Sequence, residues 1–340
     1  MPTANALGRA SLVVVAAACA AFAFTASYAA DSKTVAIVIH GGAGVINRSD
    51  MTAEREAGYR AGLEQARDAG YAVLEAGGSS LDAVTTAVRI LEDNPLFNAG
   101  KGAVLNRNGV AELDSSIMDG KTLRAGAVAG VQHVKNPIEL ARAVMEKSQH
   151  VMLAGTGAEE FALEQGLTMV PNGYFRTEAR MKQLERAQQQ EKEKAAASRT
   201  SSTGTVGAVA LDRNGNLAAA TSTGGMTNKR PGRIGDSPII GAGTYANNAS
   251  CAVSATGDGE FFIRSVVAHD ICALVQYKRV TLEAAAREVI HEKVGGLQAT
   301  GGVIALDPEG HIVMDFNSNG MFRAARDSTG RRDVAIYGKP

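Results

Sequence analysis

Hydroxyl, ion-pairing and small residues gather in one region of the sequence, at strand ends or in loops. They are Thr205, Thr221–Gly225, Arg233, Asp236 and Thr256–Gly257. The six histidines form no H-E-x-x-H motif, and the sequence has neither a G-x-S-x-G nucleophile motif nor a phosphate-cradling glycine loop. Common catalytic triads and metal sites therefore have no signature here. The region instead indicates nucleophilic chemistry by a hydroxyl group.

Thr205 stands where a polar, low-complexity tract meets a predicted core strand, "TVGAVAL". Cleavage before it would create a new N-terminus held in the fold. An α-amine has a pKa of about 7.7–8.0, so it can serve as base for the hydroxyl of its own residue without a histidine. Gly204 suits the cleavage step, because a residue without Cβ accepts the distorted backbone that lets Thr205 attack the preceding carbonyl.

The surrounding pattern predicts helix and sheet layers. A β-branched strand over Thr34–Gly44 ends in glycines, and two amphipathic helices follow, the second with Ser80 as its N-cap. "VAELDSSIMDG" and "RAGAVAGV" are predicted strands, and helices are predicted to begin at Pro137 and Thr156. These elements make up the first segment of the chain.

The second segment has strands first and helices later. The sequence predicts hairpins around Arg213–Gly215 and within Gly301–Asn317, a strand over Cys251–Gly257, and helices over Glu260–Lys278 and Thr281–Lys293. Strands grouped between helical blocks favour stacked α+β layers over an alternating βαβ fold. The G-x-G-x-x-G spacing is also missing from "HGGAG", which argues against dinucleotide binding.

Composition and charge narrow the function classes. The 340 residues include 35 basic and 35 acidic side chains, with no basic stripe, so nucleic acid is an unexpected partner. The abundance of glycine and the absence of tryptophan suit a small polar ligand.

Residues 1–30 are predicted to be a signal peptide. Arg9 precedes the apolar run "SLVVVAAACAAFAF", and small residues at Ser27–Ala29 suit a signal peptidase. A membrane anchor is the alternative, but the run is shorter than the ~20 residues a span needs. We expect a periplasmic or secreted protein with no membrane contact after signal removal.

Two further features have open interpretations. Residues 180–204 are charged and Gln-rich, and indicate a flexible linker or, alternatively, a solvated helix over their first part. Cys251 and Cys272 lack metal-site spacing; they could form a disulfide in an oxidising compartment or be two buried thiols.

The blocks "TVGAVA", "TSTGG" and "GRIGDSP", with "HGGAG" and "NPLFNAGKGAV", closely resemble the plant-type asparaginases, or isoaspartyl peptidases, of the N-terminal nucleophile hydrolases. The resemblance spans nearly all of the chain after residue 30 and is weakest over residues 170–204. It implies a four-layer αββα fold, self-cleavage into an α chain (31–204) and a β chain (205–340), and a dimer of cleaved protomers.

The resemblance also implies residue roles. Thr205 would be the nucleophile, cleaved from Gly204, with Thr223 beside it and Asn98 nearby. Arg233 and Asp236 would bind the α-carboxylate and α-ammonium of an amino acid, as an Arg fork and a carboxylate can. Thr256 and Gly257 would form the oxyanion hole, and Gly259 would line the same pocket. No cofactor is expected for catalysis. A structural sodium ion would be held by the backbone of a loop comprising Leu91, Glu92, Asn94, Phe97, Ala99 and Lys101.

The implied reaction is hydrolysis of the side-chain amide of L-asparagine or of β-aspartyl dipeptides, releasing L-aspartate. Glycosylasparaginase is an alternative, although Gly204 stands where that group has Asp. A non-catalytic binding protein that uses only Arg233 and Asp236 is the alternative from another class. Asp258, directly after the oxyanion glycine, departs from the expected pattern and could bias the choice of leaving group.

Overall fold

The computed structural model describes residues 34–193 and 204–338. The predicted signal peptide, with its cleavage site, lies outside these residues. In the first described range, the strands are β1 (Ala36–Gly44), β2 (Leu113–Asp119), β3 (Ala125–Val131) and β4 (Met152–Ala154). The helices there are α1 (Ala53–Glu75), α2 (Ser80–Asp93), α3 (Pro137–Lys147), α4 (Gly155–Glu164) and α5 (Glu178–Glu193).

The second described range supplies most of the strands. They are β5 (Val206–Leu211), β6 (Leu217–Thr223), β7 (Thr244–Ala246), β8 (Ala252–Gly257), β9 (Gly301–Leu306), β10 (Ile312–Phe316), β11 (Gly320–Asp327) and β12 (Arg332–Tyr337). Its helices are α6 (Gly259–Ser265), α7 (Val267–Ala273) and α8 (Leu282–Arg287), and π-helical turns cover Leu274–Lys278 and Glu288–Val294.

The strands form two sheets. The large sheet has eight strands in the order β12-β11-β1-β5-β6-β2-β3-β4, and the small sheet has four in the order β10-β9-β8-β7. All neighbouring pairs are antiparallel except β3 and β4. The strands β5 and β6 form the predicted hairpin, with Val206 opposite Ser222.

Three apolar clusters separate four layers. Leu63, Val84 and Ile117 belong to the cluster between α1–α3 and the large sheet. Val38, Val209 and Ile304 belong to the cluster between the two sheets. Cys251, Ile271 and Val303 belong to the cluster that packs the small sheet on α6–α8. Each sheet buries both faces, which explains the unbroken apolar runs of β1 and β5. The expected four-layer αββα arrangement is confirmed.

Local predictions differ from the structure at a few points. Ser79, not Ser80, caps α2: its Oγ accepts the Asp82 N–H at 3.1 Å, while the Ser80 N–H donates to Asp212. The sequence pattern did not predict β11 and β12. Two arginines obscure the alternation of β11 because they cover aromatic rings, Arg323 over Phe316 and Arg326 over Tyr71. In β12, Arg332 instead pairs with Asp68.

The linker prediction is wrong for its first part, because α5 continues from residue 180 to Glu193. Leu184 and Ala187 of this helix are buried. Arg180 donates from Nε to the Gly102 carbonyl at 2.6 Å and from Nη2 to the Leu96 carbonyl at 3.2 Å. The low apolar content hid the helix, since its anchoring contacts are largely polar. Residues 194–203 lie outside the described part of the chain.

The predicted Cys251–Cys272 alternatives are resolved in favour of the disulfide, which joins the residue before β8 to α7. Within residues 34–193 and 204–338, no helix is both long and apolar enough to cross a bilayer.

Candidate active site

The predicted site residues from the second segment meet in one pocket. Thr205 directly precedes β5, Thr223 ends β6, and Thr256 and Gly257 end β8. The loop between β6 and β7 supplies Arg233 and Asp236. The wall consists of Gly204, Thr205, Thr223, Gly225, Arg233, Gly235, Asp236, Ser237, Thr256 and Gly257. Strand ends from both sheets therefore converge on one small polar cavity.

The Thr205 hydroxyl has a defined partner. It donates to Thr223 Oγ1 at 3.1 Å, and the same oxygen accepts the Gly225 N–H at 2.9 Å. These bonds hold the Thr205 side chain toward the pocket. Thr223 thus lies where the resemblance implies.

The Gly204–Thr205 junction packs against the glycines after His40. Gly204 has φ +99°, and a Cβ on Gly42, whose φ is +109°, would lie 2.0 Å from Gly204 Cα. Gly204 needs to be glycine because of its positive φ, and Gly42 needs to be glycine because a side chain there would clash with Gly204. Gly42 of the "HGGAG" motif is therefore required sterically by the Gly204–Thr205 junction.

His40 holds the main chain of Thr205 through a hydrogen bond to its carbonyl oxygen. Its Nδ1 lies 3.0 Å from the Thr205 carbonyl oxygen and its Nε2 lies 2.9 Å from Ser254 Oγ. A carbonyl only accepts, so Nδ1 carries the proton and Nε2 accepts from Ser254. Burial lowers the pKa of His40 to about 3, while its bond to the Thr205 carbonyl acts in the raising direction. The imidazole is consequently neutral near pH 7.

The polar chain continues behind His40. The Ser254 hydroxyl gives its one proton to Nε2, and its oxygen lies 2.7 Å from Thr221 Oγ1, which also donates to the Gly243 carbonyl at 3.1 Å. Gly207 makes room for this chain, since a Cβ there would lie 2.0 Å from Ser254 Oγ. These buried bonds connect β5, the strand that follows Thr205, to strands of both sheets.

The two predicted oxyanion donors are placed by β1 and β8. Thr256 Oγ1 accepts the Ala43 N–H at 3.2 Å, so its own O–H can donate elsewhere. Thr256 is almost fully buried and lines the pocket beside Gly257. The arrangement supplies a hydroxyl donor next to a glycine backbone, which suits a developing oxyanion.

Arg233 and Asp236, which are predicted to bind the two charged groups of an amino acid, are called the clamp below. Arg233 is held by Glu260, a residue that the sequence did not single out. Arg233 donates from Nε and Nη2 to the two carboxylate oxygens of Glu260 at 2.9 and 3.0 Å. Glu260 is half-exposed, whereas Arg233 is largely buried. This side-chain hydrogen bonding lowers the pKa of Glu260. The sequence signal that could have identified Glu260 is its place as the acidic residue that ends "GDGE", two residues after Asp258.

Asp236 is the anionic half of the clamp. It is buried, and its Oδ2 has no hydrogen-bond partner among the described residues. Burial raises its pKa to about 7, against the lowering effect of Arg233. A Cβ on Gly259 would lie 2.8 Å from Asp236 Oδ1 and 2.9 Å from Arg233 Nη2. Gly259 is thus behind the clamp and is not part of the pocket wall.

Asn98 supports the site from outside its wall. Its Nδ2 donates to the Gly225 carbonyl at 2.8 Å, and its Oδ1 accepts the Val104 N–H at 2.8 Å. Its Cβ lies 3.5 Å from the position that a Cβ on Gly204 would take. Asn98 therefore holds the Gly225 loop close to the Gly204–Thr205 junction.

The predicted sodium loop begins in the last turn of α2, which contains Leu91 and Glu92. Its side chains have other contacts: Phe97 packs on Tyr59, and Lys101 lies over the Tyr174 ring. Asn94 Oδ1 accepts the Leu96 N–H. Leu91 belongs to the apolar cluster, and Ala99 is also buried. Any cation here would have to bind to backbone oxygens.

Glu92 of this loop is engaged by its neighbours. Its Oε1 accepts from Ser222 Oγ at 2.6 Å and from the Ile138 N–H at 3.0 Å. Burial raises its pKa to about 8, so the carboxyl is predominantly neutral at pH 7. The side chain is a link between the loop and β6 and is a poor candidate for a cation ligand.

The comparison with known proteins agrees with this geometry. The sequence profile of the family described as Asparaginase matches residues 33–336. The chain belongs to the asparaginase family. The resemblance to plant-type enzymes of the N-terminal nucleophile hydrolases is thereby confirmed.

Several relatives of this asparaginase-family chain are similar over most of their length. The "Isoaspartyl peptidase" of Salmonella typhimurium is 54% identical over 293 residues, covering 85% of this chain and 94% of that protein. The Escherichia coli protein of the same name is 53% identical, covering 85% and 91%. The "Probable isoaspartyl peptidase/L-asparaginase 2" of Arabidopsis thaliana is 42% identical, covering 89% and 98%.

Proposed function

We propose that this protein is a threonine hydrolase that cuts itself between Gly204 and Thr205 and then hydrolyses the side-chain amide of L-asparagine and of β-aspartyl dipeptides. The observation that carries this proposal is the meeting of Thr205 with Thr223, an Arg–Asp pair and two oxyanion donors in one pocket. The names of the relatives point to the same substrates. A non-catalytic binding protein would need neither Thr205 nor the glycine-lined junction between Gly204 and Thr205.

Self-cleavage begins at the junction. Thr205 Oγ1 attacks the Gly204 carbonyl carbon, the Gly204–Thr205 C–N bond breaks, and the hydroxyl proton passes to the departing nitrogen, which leaves an ester and a free amine. Water then hydrolyses the ester. Thr205 becomes an N-terminal residue whose amine lies next to its own hydroxyl.

Substrate hydrolysis uses the same hydroxyl. The Arg233 guanidinium and the Asp236 carboxylate hold the amino-acid head group, which brings the side-chain carbonyl to Thr205. The Thr205 amine takes the hydroxyl proton as Oγ1 attacks, and Thr256 and Gly257 donate to the oxyanion. The proton passes to the leaving nitrogen, ammonia or an amino acid departs, and water releases L-aspartate from the ester.

We also propose that the loop over residues 91–101 holds a structural sodium ion. Its oxygen donors are carbonyls, which suit a hard cation. Arg180 binds two carbonyls of this region and a Cβ on Gly100 would lie 2.4 Å from the Glu92 carbonyl, so the loop is tightly wound. A higher melting temperature in sodium than in choline chloride would support this site, and equal temperatures would contradict it.

Export and assembly complete the proposal. We infer an exported protein from the N-terminal sequence pattern, and the Cys251–Cys272 disulfide suits an oxidising compartment. Cell fractionation with N-terminal sequencing of the native protein tests this. A homodimer of cleaved αβ protomers is proposed from family membership, and light scattering of the cleaved protein tests it.

Intact mass under denaturing conditions tests the central proposal. We expect two fragments, one covering Thr205 to Pro340, together with release of aspartate from asparagine and β-aspartyl dipeptides. Thr205→Ala should remain one inactive chain, while the neighbouring control Thr203→Ala should still cleave before Thr205. A wild-type chain that stays uncut and releases no aspartate would overturn the proposal.

A further inference from the structure

A second polar pocket adjoins the candidate active site. Its wall includes Ala43, Gly44, Gly257, Asp258 and Asn319. Gly257 also lines the first pocket, so the two cavities share one of the oxyanion residues. Because Gly257 is predicted to bind the oxyanion, the second pocket would lie next to the substrate bond that is hydrolysed.

A strip of β1 runs from a contact with Gly204, which lines the first pocket, to the wall of the second pocket. Gly204 packs against Gly42 in the uncut chain, while the next residues, Ala43 and Gly44, line the second pocket. The Ala43 N–H also binds Thr256 Oγ1 at 3.2 Å. After cleavage Gly204 is a chain end that is no longer bonded to Thr205. If Gly204 then moved away from Gly42, the space that it leaves would connect the two pockets.

The clamp determines which part of a substrate could enter. With the head group at Arg233 and Asp236 and the carbonyl oxygen at Thr256 and Gly257, the amide nitrogen points away from the clamp. Ammonia is too small to extend beyond the first pocket. The amino acid released from a β-aspartyl dipeptide is large enough to extend into the second.

Asp258 gives the second pocket its charge. It is the one charged residue in this pocket's wall within the described chain. Its Oδ2 accepts from the Thr300 N–H at 2.8 Å and from the Thr300 hydroxyl at 3.3 Å, and no described group binds Oδ1. The carboxylate is therefore held in place with one oxygen available to a ligand.

We propose that the second pocket binds the leaving amino acid of β-aspartyl dipeptides and that Asp258 makes it favour a cationic residue there over an acidic one. The inference rests on the proposed hydrolase function and adds a leaving-group preference to it. An opposite charge near Asp258 is attracted and a like charge is repelled.

The test compares kcat/KM for β-Asp-Lys, β-Asp-Gln and β-Asp-Glu, each divided by the value for L-asparagine in the same preparation. We expect wild type to favour the Lys over the Glu dipeptide by about fivefold to tenfold, with Gln between them. Raising the salt concentration should shrink the ratio. Asp258→Asn, which keeps an acceptor for Thr300, should bring the ratio close to one, and Asp258→Lys should reverse it.

Glu309→Gln is the matched control, because Glu309 is exposed and lines neither pocket. It should keep the wild-type ratio. An unchanged ratio in Asp258→Asn, or no preference in wild type, would overturn the proposal while leaving the hydrolase function intact. Failure of wild type to act on asparagine and on all three dipeptides would instead overturn the hydrolase function itself.

Discussion

His40 Nδ1 lies 3.0 Å from the carbonyl oxygen of Thr205, although the two residues are 165 positions apart. The bond fixes the main chain of Thr205 without touching its hydroxyl. In the proposed mechanism His40 is thus a positioning residue, because the Thr205 amine serves as the base.

His40→Leu should lower kcat about 10- to 100-fold, because it removes a buried donor from the Thr205 carbonyl. KM should change little, since the clamp is untouched. His40→Asn, which restores a donor near Nδ1, should recover part of the loss. The measurement is steady-state kinetics on cleaved protein, and a rise in KM with unchanged kcat would contradict the assignment.

Glu260→Gln should raise KM for L-asparagine about tenfold and leave kcat within about threefold. Glu260 is half-exposed, so the ion pair itself contributes little stability, but the loss of its charged acceptor frees the Arg233 fork that must face the substrate carboxylate. Glu283→Gln, an exposed change in α8, serves as control. A lower KM would show that Glu260 competes with the substrate for Arg233.

Asp236 should make ligand binding pH-dependent near neutrality. Its pKa is raised to about 7, so below that pH the carboxyl is protonated and must lose a proton to accept the α-ammonium. The affinity for L-aspartate should fall up to about tenfold per pH unit below pH 7 and level off above pH 8.

Calorimetric titration of L-aspartate between pH 5.5 and 8.5 measures this effect. Binding is preferred to turnover because the proposed cleavage would give Thr205 a free α-amine, and such amines ordinarily titrate near pH 8. Asp236→Asn should bind weakly at every pH, without the step at pH 7. A wild-type affinity that is constant from pH 5.5 to 8.5 would refute the role of Asp236.

The Cys251–Cys272 disulfide should stabilise the strand that carries Thr256. It closes a loop with a sequence separation of 21 residues, for which chain entropy predicts about 3 kcal/mol of unfolding free energy. Cys251→Ala/Cys272→Ala should lose about that amount in urea denaturation monitored by circular dichroism. Reduced wild type is the control and should resemble the double variant, whereas equal stability of oxidised wild type and the variant would contradict the effect.

The local sequence predicted much of the fold, because strand and helix periodicity is set by neighbouring residues. The hairpin around Arg213–Gly215 and the helices from Pro137 and Gly155 are examples. The helix α5 was mistaken for linker because its anchor, Arg180, binds distant carbonyls and adds nothing to apolar periodicity. The strand β11 was missed for the related reason that its arginines lie over aromatic rings.

By itself, the sequence determined the chemistry that one residue contains: a threonine hydroxyl that cleavage would place beside its own amine, preceded by a glycine. Only the tertiary structure decided how that residue is held and what it faces. The bonds from His40 to Thr205 and from Arg233 to Glu260, and the second pocket beside Gly257, join segments far apart in the chain. Sheet register and layer packing bring these segments together, and no local pattern of residues encodes those distances.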